Sequence, residues 1–237
     1  VHYSAQGDSE LKPDDETAVV GMFTNLIWDA SLEVENCPFD DVFAWVKKTI
    51  DLISDLDNTK LIIKTHPAEE IRGTNEPVME WIHNRFSTLP NSVSVLPPDT
   101  DVNTYELIRD LDSAIVYNST VGLEASYLGT PVVTAGETHY RNLGITHDPQ
   151  TECEYVDLIE DISKLKITTK MHSRAVRYLY YLFYQKHLTF PFISYDDGSP
   201  KLKPVTEQNI NKTKDILDTI VENCTNGNPV LSPRVQY

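Results

Sequence analysis

The chain has 237 residues, 40% of them hydrophobic, enough for one sizeable packed domain with appendages and too many for a globally disordered chain. It carries 20 Lys and Arg against 36 Asp and Glu, and the net charge of -16 speaks against nonspecific nucleic-acid binding, which needs phosphate neutralisation. No apolar run reaches the ~18 residues of a membrane span, and the three cysteines, Cys37, Cys153 and Cys224, are far apart without metal-like spacing, as in a reduced cytoplasmic protein.

Residues 1–16 lack a starting Met and an apolar signal core, and read as a linker cut from a longer chain. From 17 to 166, strand and helix patterns alternate. "AVVGMF" (18–23) is an apolar run of strand length. "FDDVFAWVKKTIDLISDL" (39–56) places Phe43, Val46, Ile50 and Ile53 at helical spacing. "KLIIKTH" (60–66) is the second strand, and "NEPVMEWIHNRF" (75–86) a helix with Pro77 in its first turn. "SVSVL" (92–96) is the third strand, followed by a short helix over "NTYELIRDL", where Asn103 and Glu106 have capping-box spacing. "SAIVYN" is the fourth strand, "VGLEASYLG" a helix closed by Gly129, "PVVTAG" the fifth strand, and 152–165 another helix. Beyond lie an aromatic C-terminal helix within 167–195, then a linker, a last helix and a loose tail over 196–237. The stripe of Tyr178, Tyr181 and Leu182 is wider than one core face and is suited to packing against a second domain.

Strands separated by helices make βαβ units, hence an α/β fold: a Rossmann-like parallel sheet with helices on both faces. Continuous apolar strands, rather than alternating ones, suit burial on both sides. In such a sheet ligands gather at the carboxyl ends of the strands. Those ends carry Thr24, Asn25 and Asp29 after the first strand, and Lys64, His66 and Glu69 after the second. Asp99 and Asp101 follow the third, Asn118, Ser119, Thr120 and Gly122 the fourth, and Glu137, His139, Tyr140 and Arg141 the fifth.

The turn from Asn118 to Gly122 suits an anion. The hydroxyls of Ser119 and Thr120 and the amide groups of a helix start can hold a phosphate oxygen, and Gly122 permits close approach. Glu124, one turn further on, can reach a ribose hydroxyl. The plainer reading is that Ser119 or Thr120 only caps the helix. Pro67 holds His66 extended, where its imidazole can donate to a phosphate or protonate it as it leaves. "DTD" at 99–101 is the spacing of some metal-binding sites, but Asp is common in such turns and reads as structural here. There is no Gly-x-Gly-x-x-Gly, P-loop or Gly-x-Ser-x-Gly.

"TNLIWDA", "KTHP" and "YNSTVGLEASYLGTPVVTAGETHYRNLGITHDP", followed by "RAVRYLYYLFYQKHLTFPFI", together resemble the capsule polysaccharide biosynthesis proteins. The resemblance covers roughly 18–195 and implies the GT-B architecture, two Rossmann-like domains across a cleft, with this chain similar to the C-terminal, donor-binding half. His-Pro after strand two with Ser/Thr after strand four also resembles sialyltransferases, capsule Kdo transferases and polyglycerol-phosphate transferases, which use cytidine nucleotides. The likeness implies that His66, Ser119 and Thr120 hold the donor phosphate and Glu124 the ribose, with Asn25, Asp29, Lys64, Asn118, Gly122 and Glu137 completing the donor site. It implies no metal and no cofactor beyond the nucleotide sugar itself.

The expectation is therefore the donor-binding part of a glycosyltransferase for surface polysaccharide, using a CMP- or CDP-linked donor, with His66 the catalytic candidate. Its partners would be the nucleotide sugar, a glycan or lipid-linked glycan acceptor, and the missing N-terminal domain that normally carries the catalytic base. The expected location is cytoplasmic, at most peripheral to the inner membrane face. Two rivals make different forecasts. A nonhydrolysing nucleotide-sugar epimerase would turn over the nucleotide sugar without acceptor. A non-catalytic nucleotide- or sugar-binding module would bind but not transfer even in the full-length protein.

Overall fold

The structure, a computed structural model, describes residues 16–27, 37–71, 75–185, 192–196, 199–204 and 206–227. The chain divides into two compact units, Val1–Val176 and Arg177–Tyr237.

The first unit is built on β1 (Ala18–Phe23), β2 (Thr59–Lys64), β3 (Val93–Leu96), β4 (Ser113–Val116) and β5 (Val132–Thr134). All pair in parallel, in the order β3-β2-β1-β4-β5. The register makes Leu96, Lys64, Phe23, Val116 and Thr134 the last row of the sheet. The Ile145–His147 segment extends the edge beyond β5: His147 N–H donates to the Val132 carbonyl at 2.8 Å, and Thr134 N–H to the His147 carbonyl at 2.9 Å.

Alternation along each strand divides the core in two. Val20, Met22, Leu61, Ile63, Ile115 and Val133 pack beneath α1 (Val42–Ser54), α3 (Val78–Arg85) and α6 (Glu152–Glu160). Val19, Phe23, Ile62, Val116 and Val132 pack beneath α4 (Thr104–Asp110) and α5 (Val121–Leu128). The caps follow from sequence. Asp41 accepts the Ala44 N–H at 2.7 Å, Asn103 accepts those of Tyr105 and Glu106, and Gly129 closes α5 at φ 99°, where a Cβ would be strained. Under α1, a buried polar knot joins the first and last helices of this layer. The Tyr155 hydroxyl receives the Trp45 indole N–H at 3.0 Å and lies 2.6 Å from the Thr49 hydroxyl.

Three boundaries differ from expectation. The helix expected over 152–165 stops at Asp161 and continues as a 3-10 turn, Ile162–Lys164, whose Ile162 carbonyl accepts the Ser113 hydroxyl of β4 at 2.9 Å. A four-residue helix, α2 (Ala68–Ile71), follows His66-Pro67, and helical spacing cannot betray an element of barely one turn. The stretch assigned to the end of the aromatic helix and the following linker holds a hairpin: β6 (Ile193–Asp196) pairs antiparallel with β7 (Ser199–Leu202). The intervening Asp197-Gly198 has the sequence of a two-residue hairpin connection.

The helix α7 (Thr169–Tyr180) passes from the first unit into the second, where a π-helical turn, Tyr181–Gln185, succeeds it. In the second unit Tyr180 and Tyr184 stack with ring centroids 5.3 Å apart, and α8 (Glu207–Asn226) is the last helix. Among the described residues no helix is long and apolar enough to cross a membrane.

Candidate functional site at the switch point of the sheet

After β3 the chain crosses β2 and β1 to lay down β4, so the strand order reverses between β1 and β4. Such a switch point opens a crevice at the carboxyl ends of the two strands, because their following loops depart to opposite faces. Two residues past β1 stands Asn25, and two past β4 stands Asn118. Asn25 Oδ1 accepts the Asn118 N–H at 3.1 Å, while Asn25 Nδ2 donates to the Asn118 carbonyl. The side chain of Asn25 thus pairs with loop backbone as a strand would.

The next carbonyl is held as well. The hydroxyl of Tyr140, a fully buried residue after β5, donates to the Ser119 carbonyl. Burial pushes this phenol well above its ordinary range, so it remains a donor at any physiological pH. Gly122 makes the approach possible: a Cβ there would fall on the Tyr140 hydroxyl and 2.9 Å from Val116 Cγ2. The neighbour that needs the glycine is therefore this tyrosine.

With those carbonyls secured, the donors of the turn remain. Ser119 Oγ accepts the Val121 N–H at 3.3 Å, so Ser119 does cap α5, while its own hydroxyl proton can still be donated. Thr120 is exposed and makes no side-chain cap. The amides of Ser119 and Thr120 have no acceptor among the described residues. Two consecutive N–H groups and two hydroxyls at the start of a helix are a donor set for an anion. Glu124, half-buried one turn along, lies beside Tyr105 on α4, and its carboxylate holds the phenol above its usual range.

Lys64 ends β2, on the other side of β1, and His66 stands two residues past it. Neighbouring strands are about 4.8 Å apart, so His66 and Asn118 face each other across roughly 10 Å. Lys64 shares a face with Ile62, the face covered by α4 and α5 and the one over which the Asn118 turn leads into α5. It is only 8% exposed and has no carboxylate partner among the described residues; burial holds its ammonium below the ordinary lysine range. A buried cation in that position is stabilised by an anion. His66 Nδ1 accepts the Ala68 N–H at 3.1 Å. An imidazole accepting at Nδ1 carries its proton on Nε2, so in the neutral ring Nε2 is the donor.

Glu69, on α2 in the loop after β2, is 3% exposed, and the sequence placed it at this edge without a role. Its Oε1 accepts the Val78 N–H at 3.2 Å, its Oε2 has no partner among the described residues, and desolvation raises its pKa. It ties α2 to the start of α3 and so supports the His66 loop. Tyr140 stands at the strand end where the sequence places it, but its role was not legible because it acts through a residue on another loop, and Tyr105 was missed for the same reason. Glu137 is exposed at the rim. Arg141 is buried and structural, its guanidinium donating to the carbonyls of Thr134 (2.7 Å), Gly136 (3.0 Å) and Pro149. Asp29 lies outside the described residues. Asp99 sits in a turn closed by Thr100 N–H to the Pro97 carbonyl at 3.1 Å, and Asp101 directly follows it. Among the described residues no group of three or more His, Cys, Asp or Glu is placed to hold a metal ion.

The family of capsule polysaccharide biosynthesis proteins matches residues 33–184, well over half of the chain. No curated protein matches it in sequence. Similar solved structures include a beta Kdo 2,4 transferase, KpsC, of Thermosulfurimonas dismutans (19% identity, 68% of this chain and 44% of that one, TM-score 0.46). Another is the alpha,alpha-trehalose 6-phosphate synthase of Burkholderia multivorans (12% identity, 69% and 38%, TM-score 0.47). A third is the UDP-GlcNAc 2-epimerase of Methanocaldococcus jannaschii (14% identity, 70% and 46%, TM-score 0.44). The chain spans less than half the length of each of these.

Proposed function

The chain belongs to the capsule polysaccharide biosynthesis protein family, and from that premise we propose that it is the donor-binding part of a glycosyltransferase for surface polysaccharide. The observation that carries this reading is the Asn118–Thr120 turn at the switch point. Its carbonyls are tied back, its amide groups have no acceptor among the described residues, and Lys64, buried and without a carboxylate partner among those residues, lies on the same edge.

In this reading the donor's phosphates lie between the two sides of the crevice. Ser119 and Thr120 donate to one phosphate from the start of α5. Lys64 balances its charge, and His66 Nε2 donates a hydrogen bond to the leaving phosphate as the sugar–oxygen bond breaks. Donors fixed before the reaction stabilise charge that grows in the transition state without reorganising. Glu124 reaches the ribose from beside Tyr105. Asn25 and Gly122 shape the site, and the acceptor and its catalytic base come from another part of the full-length protein. The pairing of His66-Pro67 with Ser119-Thr120 supports a CMP- or CDP-linked donor. A cytoplasmic enzyme at the inner membrane face, needing no metal, fits this chemistry.

Titration calorimetry with CMP, CDP, UDP and GDP tests the reading, on wild type and on His66→Ala and Thr120→Ala. Cytidine-selective binding weakened by both substitutions is the expected result. A preference for UDP or GDP would remove the cytidine assignment and leave the donor site. No nucleotide binding, by this chain or the full-length protein, would overturn the reading.

A further inference from the structure

We propose that Tyr140 is a positioning residue for the nucleotide phosphate, acting through the Ser119 carbonyl to aim the amide groups of Ser119 and Thr120 into the crevice. This rests on the donor-site reading above.

The Asn118–Thr120 turn is clamped from two directions. From β1, Asn25 takes both the N–H and the carbonyl of Asn118. From the loop after β5, Tyr140 takes the carbonyl of Ser119. Each peptide unit is planar, so fixing a carbonyl also fixes the N–H at the other end of the same unit. The Asn118 carbonyl shares its plane with the Ser119 N–H, and the Ser119 carbonyl with the Thr120 N–H. Asn25 therefore orients the first donor and Tyr140 the second.

The surroundings of Tyr140 fit this use better than simple packing. Its ring is fully buried and meets His139 edge to face at 5.2 Å, so the hydroxyl is delivered to one place. The buried hydroxyls of Thr134 and Thr138 lie close enough to the phenol to interact with it, so its oxygen can accept from them while its proton is donated to the Ser119 carbonyl. Residue 122 is the one amino acid without a side chain where any Cβ would displace that hydroxyl.

Tyr155 provides a matched control. It too is a fully buried tyrosine whose hydroxyl is hydrogen-bonded, but to Trp45 and Thr49 beneath α1, on the opposite face of the sheet. Removing either hydroxyl leaves a buried partner unsatisfied, so both Tyr→Phe variants should lose stability similarly.

The experiment measures affinities for a nucleoside diphosphate and for the corresponding nucleoside, in wild type, Tyr140→Phe, Tyr155→Phe and Gly122→Ala, with thermal midpoints alongside. Tyr140→Phe is expected to weaken the diphosphate about tenfold, the worth of one well-aimed hydrogen bond, and to leave the nucleoside unchanged. Gly122→Ala, which displaces the hydroxyl without removing it, should do the same. Tyr155→Phe should lower the midpoint and leave both affinities alone. Tyr140→Phe binding the diphosphate like wild type would overturn the positioning role and spare the donor site, as would equal weakening by Tyr155→Phe. A wild-type protein that binds no nucleotide would overturn both.

Discussion

Asn25 and Asn118, 93 residues apart in the chain, are joined head to tail across the point where the strand order reverses. One side-chain amide satisfies both polar groups of one backbone residue. It continues the β1–β4 ladder, whose last paired row is Phe23 and Val116, for one more step into the loops. The turn that follows is held as firmly as a strand although it has the exposure of a loop.

Asn25→Ala therefore leaves the N–H and carbonyl of Asn118 without their partner. A loss of about 1–3 kcal/mol is expected, read from urea unfolding. Asn25→Asp keeps the acceptor for the Asn118 N–H but opposes a carboxylate to the carbonyl and to any bound phosphate. It should bind nucleotide more weakly than Asn25→Ala, and equal affinity in the two variants would argue against an anion beside Asn118.

Lys64 is buried on the face shared with the phosphate turn, and its protonated form is penalised by desolvation. Lys64→Met removes that penalty at similar volume. The unliganded protein should be as stable as wild type or more so, while nucleotide affinity falls by about tenfold or more, the scale of a charge-assisted hydrogen bond. An anion favours the protonated amine, so wild-type affinity should decline as pH rises toward the lowered lysine pKa. Lys64→Met should flatten that decline, and a parallel decline in both would assign it elsewhere.

His147, in the edge segment beside β5, has its pKa lowered below 6.5 by burial, and its Nε2 is buried without a partner among the described residues. The unfolded chain takes up this proton first on acidification. The contribution of neutral His147 is complete above about pH 6.5 and is lost as pH falls toward the depressed folded value. Asp148 works in the opposite sense, since burial raises its folded pKa. Comparing the urea midpoint of wild type and His147→Asn from pH 8 to pH 5 isolates the histidine: the wild-type midpoint should fall relative to the variant. Parallel curves would show that the site does not titrate.

The hydroxyl of Tyr155 closes the knot between α1 and α6. Tyr155→Phe strands the Trp45 indole N–H and is expected to cost about 1 kcal/mol in urea unfolding. Trp45→Phe, which removes that donor and leaves Thr49 to satisfy Tyr155, should cost more through lost volume. The reverse order would mean that the polar contact outweighs the packing.

Local order was readable because its causes are local. Val46, Ile50 and Ile53 repeat at the spacing of one helix face, Asn103 and Gly129 are residues whose own geometry starts and ends helices, and continuous apolar runs mark strands covered on both sides. The same pattern sufficed to place Asn118, Ser119 and Thr120 at a strand's carboxyl end, and His66 at another. Asp197-Gly198 also has the sequence of a hairpin connection, within a stretch that reads as loop or linker in the sequence. Strand order lay beyond such reasoning. Periodicity shows that a segment is a strand but not which neighbour it pairs with, since pairing depends on crossovers that join residues nearly a hundred positions apart. Only the order β3-β2-β1-β4-β5 makes β1 and β4 adjacent, so only the folded chain brings Asn25 to Asn118 and Tyr140 beneath Ser119. It likewise reverses the apparent purpose of Gly122, which makes room for a side chain 18 residues later rather than for the loop it sits in. The burial of Lys64 has the same origin: a lysine at the end of a strand is ordinary in sequence, and it becomes a desolvated charge only when α4 and α5 close over that face.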